Sequence, residues 1–450
     1  METHENKMGV MPIGKLLIGM SLPMMISMLV QALYNIVDSI FVAQVGEYAV
    51  RAVSLAFPAQ TLMIAVAVGT AVGINALLSR TLGEKEFDKA NKVAGNGVLI
   101  SVLCYAVSAI AGAVAAKPFI YSQTDVEQVR NYGVSYLTVC TVFSFGIFLQ
   151  ICFERLLQST GKTIFTMITQ GVGAIINIIL DPILIFGLFG FPRLEAAGAA
   201  IATVTGQIIA ALLSIILNQK YNDEVRLTPH ALRPNLRLIG QIYAVGAPSI
   251  VVQAIGSVMT YGMNLILSAY GIAQTVFGLY FKLQSFIFMP VFGLNNGMVP
   301  IIAYNFGAGK RDRVVKTIKS SIYFAIGIML VGLVIMELFP AQLLSMFNAT
   351  PDLISVGVPA LRIICLSFLF AGYCIVVGSA FQALGNGVYS MIVSIARQLV
   401  VLLPVAYLLS LTGNVRNIWW SFPIAELMSL AMSSYFLWKI NRKVISHIGT

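Results

Sequence analysis

Charge is what this chain has least of. Asp, Glu, Lys and Arg together make up 10% of its 450 residues, and only 18 residues are acidic. Soluble domains carry about 25% charged residues, so a water-soluble globular fold is excluded. There are three histidines, His4, His230 and His447, all in loops or tails. No imidazole is therefore available for a buried metal centre or a catalytic triad. The five cysteines (Cys104, Cys140, Cys152, Cys365, Cys374) sit inside apolar segments at no metal-ligand spacing, which points to packing rather than to disulfides or zinc. No GxxxxGK[ST] loop and no nucleophile elbow occur, so neither ATP binding of the usual kind nor serine hydrolysis is supported. The chain reads as a non-enzyme with no cofactor.

What is present is apolar length. Hydrophobic residues make up 58% of the chain and mean hydropathy is +0.87. Runs long enough to cross a bilayer fall at 14–42, 53–79, 93–116, 131–153, 163–189, 196–217, 238–269, 276–303, 317–337, 355–377, 388–410 and 418–438. The expected fold class is an all-α integral membrane protein of twelve transmembrane helices in two six-helix lobes. The longest polar link, 218–237, suggests a boundary between an N-terminal lobe (1–217) and a C-terminal lobe (238–450). With the N-terminus inside, twenty of the 28 Lys and Arg fall on inner segments and five on outer ones. That bias places both termini in the cytoplasm of a cell-membrane protein, and it explains the net charge of +10 without nucleic acid as a partner.

The two halves repeat. Gly69, Gly73, Gly83, Asp88, Gln158, Gly161 and Met167 match Gly293, Gly297, Gly307, Asp312, Gln382, Gly385 and Met391, each offset by 224 residues, and Pro23 matches Pro248 at 225. Six spans per half is an even number, so both halves enter the membrane from the same side. A pseudo-twofold along the membrane normal follows, an arrangement suited to alternating access. The GxxxG pairs at Gly69/Gly73 and Gly293/Gly297 predict close helix packing.

Against this apolar background a few polar residues stand out. The segment Thr163–Phe189 has one charge, Asp181, with Asn177 a helical turn before it and Pro182 directly after. An acid well inside a bilayer costs about 2.5–3.5 kcal/mol, so it reads as functional. The first span carries Tyr34, Asn35 and Asp38, with Tyr34 and Asp38 on one face and Pro23 earlier as a hinge. Asp38 and Asp181 fall at similar depth. With Asn177 and a hydroxyl from Thr203 or Thr205 they could form an oxygen-rich nest for Na⁺ or for a proton. The alternative is that the two acids face different neighbours. The second half has Met263 and Val405 at the equivalent positions, and instead holds Lys282, Gln284, Arg362, Arg397 and Gln398 within apolar spans. Arg397 could line a substrate cavity with Lys282 and Gln284, or pair structurally with Glu426 or Glu337. The 19 methionines would suit an adaptable apolar cavity, although most such residues simply pack.

The sequence resembles the multidrug and toxic compound extrusion (MATE) family. The resemblance is carried by PMMISMLVQALYNIVDSIFVAQVG (Pro23 to Gly46), NIILDP (Asn177 to Pro182), GAAIAT (Gly198 to Thr203) and the paired loops SRTLGEKEFDKA and AYNFGAGKRDRV. It implies antibiotic and xenobiotic efflux of small, bulky, often cationic amphiphilic compounds, driven by antiport against Na⁺ or H⁺. It also implies an ion site in the N-terminal lobe at Asp38, Asn177, Asp181 and Thr203, with Tyr34 nearby. A second branch of the family places acids in helices seven and ten, where this chain has none. The Arg397-Gln398 pair is similar to a sub-branch of bacterial drug exporters. A lipid-linked precursor flippase of the same superfamily is the competing expectation. The bilayer is the expected partner, and a monomer the expected state.

Overall fold

The computed structural model of the chain describes residues 5–347 and 349–449; His4 lies outside them. Among these the structure is all-helical. Twelve spans run in order: α1 (Ile13–Val45), α2 (Glu47–Gly83), α3 (Phe87–Tyr121), α4 (Glu127–Val142 and Phe145–Ser159), α5 (Thr163–Phe186), α6 (Glu195–Tyr221), α7 (Leu236–Leu267), α8 (Ala273–Gly307), α9 (Arg311–Leu338), α10 (Pro351–Cys365 and Phe368–Ala383), α11 (Gly387–Ser410) and α12 (Ser421–Lys443). Nine are individually long and apolar enough to cross a membrane, and α4 and α10 qualify as bent pairs. The last, α12, has 23 residues but ends in Lys439, Arg442 and Lys443, which lowers its apolar character.

Most helices extend past the apolar run that predicts them, because polar ends continue the ladder beyond the hydrocarbon. Three departures have local causes. The fourth and tenth spans are broken by 41° and 49°. At each break a serine hydroxyl turns back onto its own helix: Ser144 donates to the Thr141 carbonyl at 2.7 Å and Ser367 to the Ile364 carbonyl at 2.6 Å. The fifth helix stops at Phe186 rather than Phe189, since Gly187 takes the left-handed conformation (φ +75°) and closes onto the Ile183 carbonyl. In α11 the turns at Ala396–Leu402 widen into a π-helix. Pro404 follows two residues later; it has no N–H to give to the preceding turn and crowds the carbonyl there.

The described chain forms two compact units, Ile26–Ile250 and Met1–Met25 with Val251–Thr450. The boundaries lie inside α1 and α7, two residues after Pro23 and Pro248, and not in the 218–237 segment, which belongs to the Ile26–Ile250 unit. The GxxxG pairs supply the reason. In the Ile26–Ile250 unit, a side chain on Gly69 would strike the backbone of Ile250, and one on Gly73 would strike the Ile242 carbonyl, so the start of α7 lies directly against α2. In the other unit, Gly293 and Gly297 bring α8 equally close to the backbone of Met25 and Ser21, and Ser21 donates to the Leu294 carbonyl at 3.3 Å. Backbone-to-backbone contact of this kind needs glycine and supplies the dispersion energy that holds helices together in lipid.

The outer faces match a lipid surround. On α3, Leu103, Val107, Ile110 and Val114 are 54–72% exposed and spaced to form one stripe. In water such a stripe would cost several kcal/mol; against acyl chains it costs nothing.

Candidate functional site

The polar nest lies wholly within the Ile26–Ile250 unit. Its floor is α5, whose Asn177 and Asp181 are buried, with Asp181 at 0% exposure. Four-residue spacing stacks them on one helix face, turned away from the lipid-facing residues Ile175 and Ile179, which are 58% and 55% exposed. Asn177 Nδ2 donates to Asp181 Oδ1 at 3.5 Å and to Thr203 Oγ1 on α6 at 3.2 Å. Small residues make that approach possible: Gly206 on α6 faces the Gly173 carbonyl and the Asn177 backbone of α5.

The remaining wall is α1. The Asp38 carboxyl lies within hydrogen-bonding reach of Asp181, so the two acids do meet. The Tyr34 hydroxyl is close enough to feel both carboxyls and the Cys140 thiol. Three buried oxygens have no hydrogen-bond partner: Asp38 Oδ1, Asn177 Oδ1 and Asp181 Oδ2. Two facing carboxylates supply only acceptors. An orphaned set of three hard oxygen atoms is the donor set a monovalent cation or a shared proton would complete. Among the described residues no group of three or more His, Cys, Asp or Glu is placed to hold a metal ion, so a transition-metal centre has no support.

Of the two threonines that could join the nest, only Thr203 does. Thr205 Oγ1 instead donates to the Ile201 carbonyl of its own helix at 2.7 Å. Asn35 is exposed and stands apart from the nest. Sequence reasoning missed the shell behind Asp38: Tyr136 and Cys140 from α4, with Gln60 Nε2 donating to Cys140 Sγ at 3.9 Å. Gln60, an amide in an apolar stretch two residues after Pro58, was the available signal. Glu154 was missed as well, being at the edge of its span. It is buried yet satisfied, accepting from Thr169 at 2.7 Å, Gln170 at 2.8 Å and Gln150 at 3.0 Å.

In the other unit Arg397 finds Glu426: Nη1 donates to Oε1 at 2.9 Å. Glu337 pairs more loosely with Arg362, at 3.8 Å. Lys282 is exposed, its ammonium 5.9 Å from the centre of the Phe347 ring. Gln284, on the same helix, is half-buried.

Comparison with known proteins decides the family. The family model described as MatE matches twice, over residues 23–183 and 248–408. The chain belongs to the MatE family. The paired match also confirms the duplication read from the glycine pattern, and each match begins at one of the two prolines beside the unit boundaries. Among curated MatE relatives, the multidrug export protein MepA of Staphylococcus haemolyticus is 28% identical over 438 residues, covering 96% of this chain and 95% of that protein. The FAD transporter of Shewanella oneidensis is 25% identical over 439 residues, covering 95% and 94%. A crystal structure of MATE in complex with MaL6 superposes with a TM-score of 0.92 at 25% identity, over 99% of both chains. The twelve-helix, two-lobed membrane fold stands on that likeness, and MatE proteins are transporters rather than enzymes.

Proposed function

We propose that the chain is a secondary active exporter of small organic compounds, working by antiport with Na⁺ or H⁺ through alternating access. The observation that carries this reading is the meeting of Asp38 and Asp181, with three orphaned buried oxygens around them. Two carboxylates this close repel while both are ionised. A single positive charge entering between them removes the repulsion and draws α1 onto α5, with Asn177 and Thr203 orienting the α5 side. Where the ion is Na⁺, Asp38, Asn177 and Asp181 supply hard oxygen atoms suited to it. Where it is a proton, one carboxyl donates to the other and no further ligand is needed. Pro23 removes a backbone hydrogen bond from α1 and serves as the hinge. The driving force suffices, since each charge crossing gains about 2.3 kcal/mol per 100 mV.

Small organic drugs are the proposed substrates, on the analogy of the multidrug export protein MepA, with cationic amphiphiles the class to try first; the FAD transporter relative makes a flavin dinucleotide the obvious second compound to try. The bias of basic residues supports cytoplasmic termini, and a monomer is the proposed working unit. The second reading, a lipid-linked precursor flippase, rests on Lys282, which is exposed and has no ion pair among the described residues.

The test is efflux from proteoliposomes under separately imposed Na⁺ and proton gradients. Cationic drug, flavin dinucleotide and lipid-linked precursor are each loaded in turn. Gradient-driven drug movement supports the proposal, and movement of the precursor alone replaces it with the flippase.

A further inference from the structure

A cavity of about 870 Å³ opens in the Ile26–Ile250 unit, where the α2–α3 loop meets the start of α7. It lies at the end of α2 where the α2–α3 loop begins. Its walls include Lys85, Lys89, Lys92 and Arg237, with Glu86 and Asp88. Lys89 is neutralised by Glu86 at 2.9 Å and Glu84 at 3.4 Å. No ion pair to Lys85, Lys92 or Arg237 is found among the described residues, so three exposed cations surround the cavity against Asp88 alone. The first turn of α3, which has no side-chain cap, also lines the cavity through Phe87 and Asp88.

The duplicated half provides an internal control. At the 224-residue offset, Glu86, Lys89 and Lys92 correspond to Lys310, Arg313 and Lys316. In that unit the matching recess is filled by the chain itself. Arg313 Nη2 donates to the carbonyls of Met8 at 2.8 Å and Met11 at 2.7 Å. Lys310 Nζ donates to the Gly9 carbonyl at 2.9 Å and to Glu5 at 2.5 Å. The first recess has no such plug. Its counterpart segment bonds deeper, through Arg226 N–H to Asn91 at 2.7 Å and Asn235 N–H to Asn96 at 2.8 Å, leaving the mouth open. The left-handed loop position that the second repeat gives to Gly309 (φ +69°) is held in the first by Lys85 (φ +62°). Glycine would relieve that strain, so the lysine side chain is kept against a backbone cost.

The geometry points to a binding site for a phosphate group in this cavity, held by the unpaired cations Lys85, Lys92 and Arg237. Phosphate of this kind comes either from an anionic phospholipid headgroup at the membrane surface or from a soluble phosphate compound.

The experiment uses the purified full chain in nanodiscs of mixed phosphatidylglycerol and phosphatidylcholine, with retained lipid counted by native mass spectrometry. The wild type should keep phosphatidylglycerol in preference. The triple variant Lys85→Gln/Lys92→Gln/Arg237→Gln should lose that preference by about tenfold or more. The variant Lys316→Gln/Lys319→Gln, in the plugged repeat, should leave it unchanged. All five side chains are exposed, and an unshifted melting temperature verifies folding. In a second arm, inorganic phosphate and ATP are titrated in phosphatidylcholine discs. A melting shift that the triple variant lacks, without lipid preference, upholds the site and names a soluble ligand. Equal lipid retention and equal phosphate response in the triple variant and wild type would overturn it.

Discussion

Between α5 and α6 the crossing polar contact is Asn177 to Thr203, neutral on both sides and set beside an acid that faces a second acid. Between the corresponding helices of the other repeat, α11 and α12, it is Arg397 to Glu426, an ion pair closed on itself. Arg397 and Glu426 align with Gly173 and Ala202, within about a turn of Asn177 and Thr203. One scaffold position has thus been used in two ways. In the first, like charges are brought together and oxygens are left over, an arrangement that the proposed antiport would complete with a cation from outside. In the second, the chain supplies its own cation, although Glu426 Oε2 has no partner. Duplication gives both repeats the same frame; the side chains placed in it separate a unit with unpartnered acids from a self-neutralised one.

The comparison breaks most sharply at the carboxylates. Asp38→Asn and Asp181→Asn should insert and fold normally yet abolish gradient-driven drug efflux in whole cells, while Glu426→Gln should retain it in part. Wild-type drug resistance from either aspartate variant would remove the ion site from the first unit. Next in size is the ion pair. Arg397→Met alone strands a buried carboxylate and should cost about 3–5 kcal/mol, read as a lowered melting temperature in detergent; Arg397→Met with Glu426→Met should recover most of it. If the double variant melts no higher than the single, the pair is not self-contained. Gly73→Val and Gly297→Val should each cost about 3 kcal/mol by overpacking helices in backbone contact, whereas Gly14→Val, which meets nothing within 4 Å, should be nearly silent. Unequal losses at Gly73 and Gly297 would show that the two units are not held together in the same way. Smallest is Thr203→Val, which removes one hydrogen bond to Asn177 and should weaken coupling about five- to tenfold, seen as a higher ion concentration for half-maximal efflux. Thr205→Val, bonded only to its own helix, should match the wild type.

Hydropathy made the twelve spans legible, because a bilayer forces each crossing segment to be long, apolar and helical. The bends were less so. Ser144, Ser367 and Pro404 act on individual backbone bonds, and an apolar run looks the same whether or not one of its carbonyls is diverted. The domain boundary was hidden for another reason. The polar segment 218–237 has the composition of a linker, yet the units divide inside α1 and α7, where the glycine pairs and the two prolines act together. Within the candidate site, Asn177 and Asp181 could be paired from spacing alone, since both sit on one helix. That Asp38 reaches them, and that Thr203 joins where Thr205 does not, depends on helix rotation, which pattern reading leaves free. Tyr136 and Cys140 behind Asp38 look like ordinary packing residues in sequence. Arg397 could be foreseen as buried and in need of a partner, but the choice of Glu426 over Glu337 required the fold.

The glycine contact between α8 and the first part of α1 also sets a clock on biogenesis. Ser21 is bonded to Leu294, 273 residues later in the chain. At synthesis rates of about 5–20 residues per second, roughly 14–55 s separate the emergence of the two partners. For that interval the opening helix sits in the membrane with its glycine-facing surface uncovered, available to lipid, to insertion factors or to a nascent neighbour. A ribosome pausing before α8 would prolong that exposure.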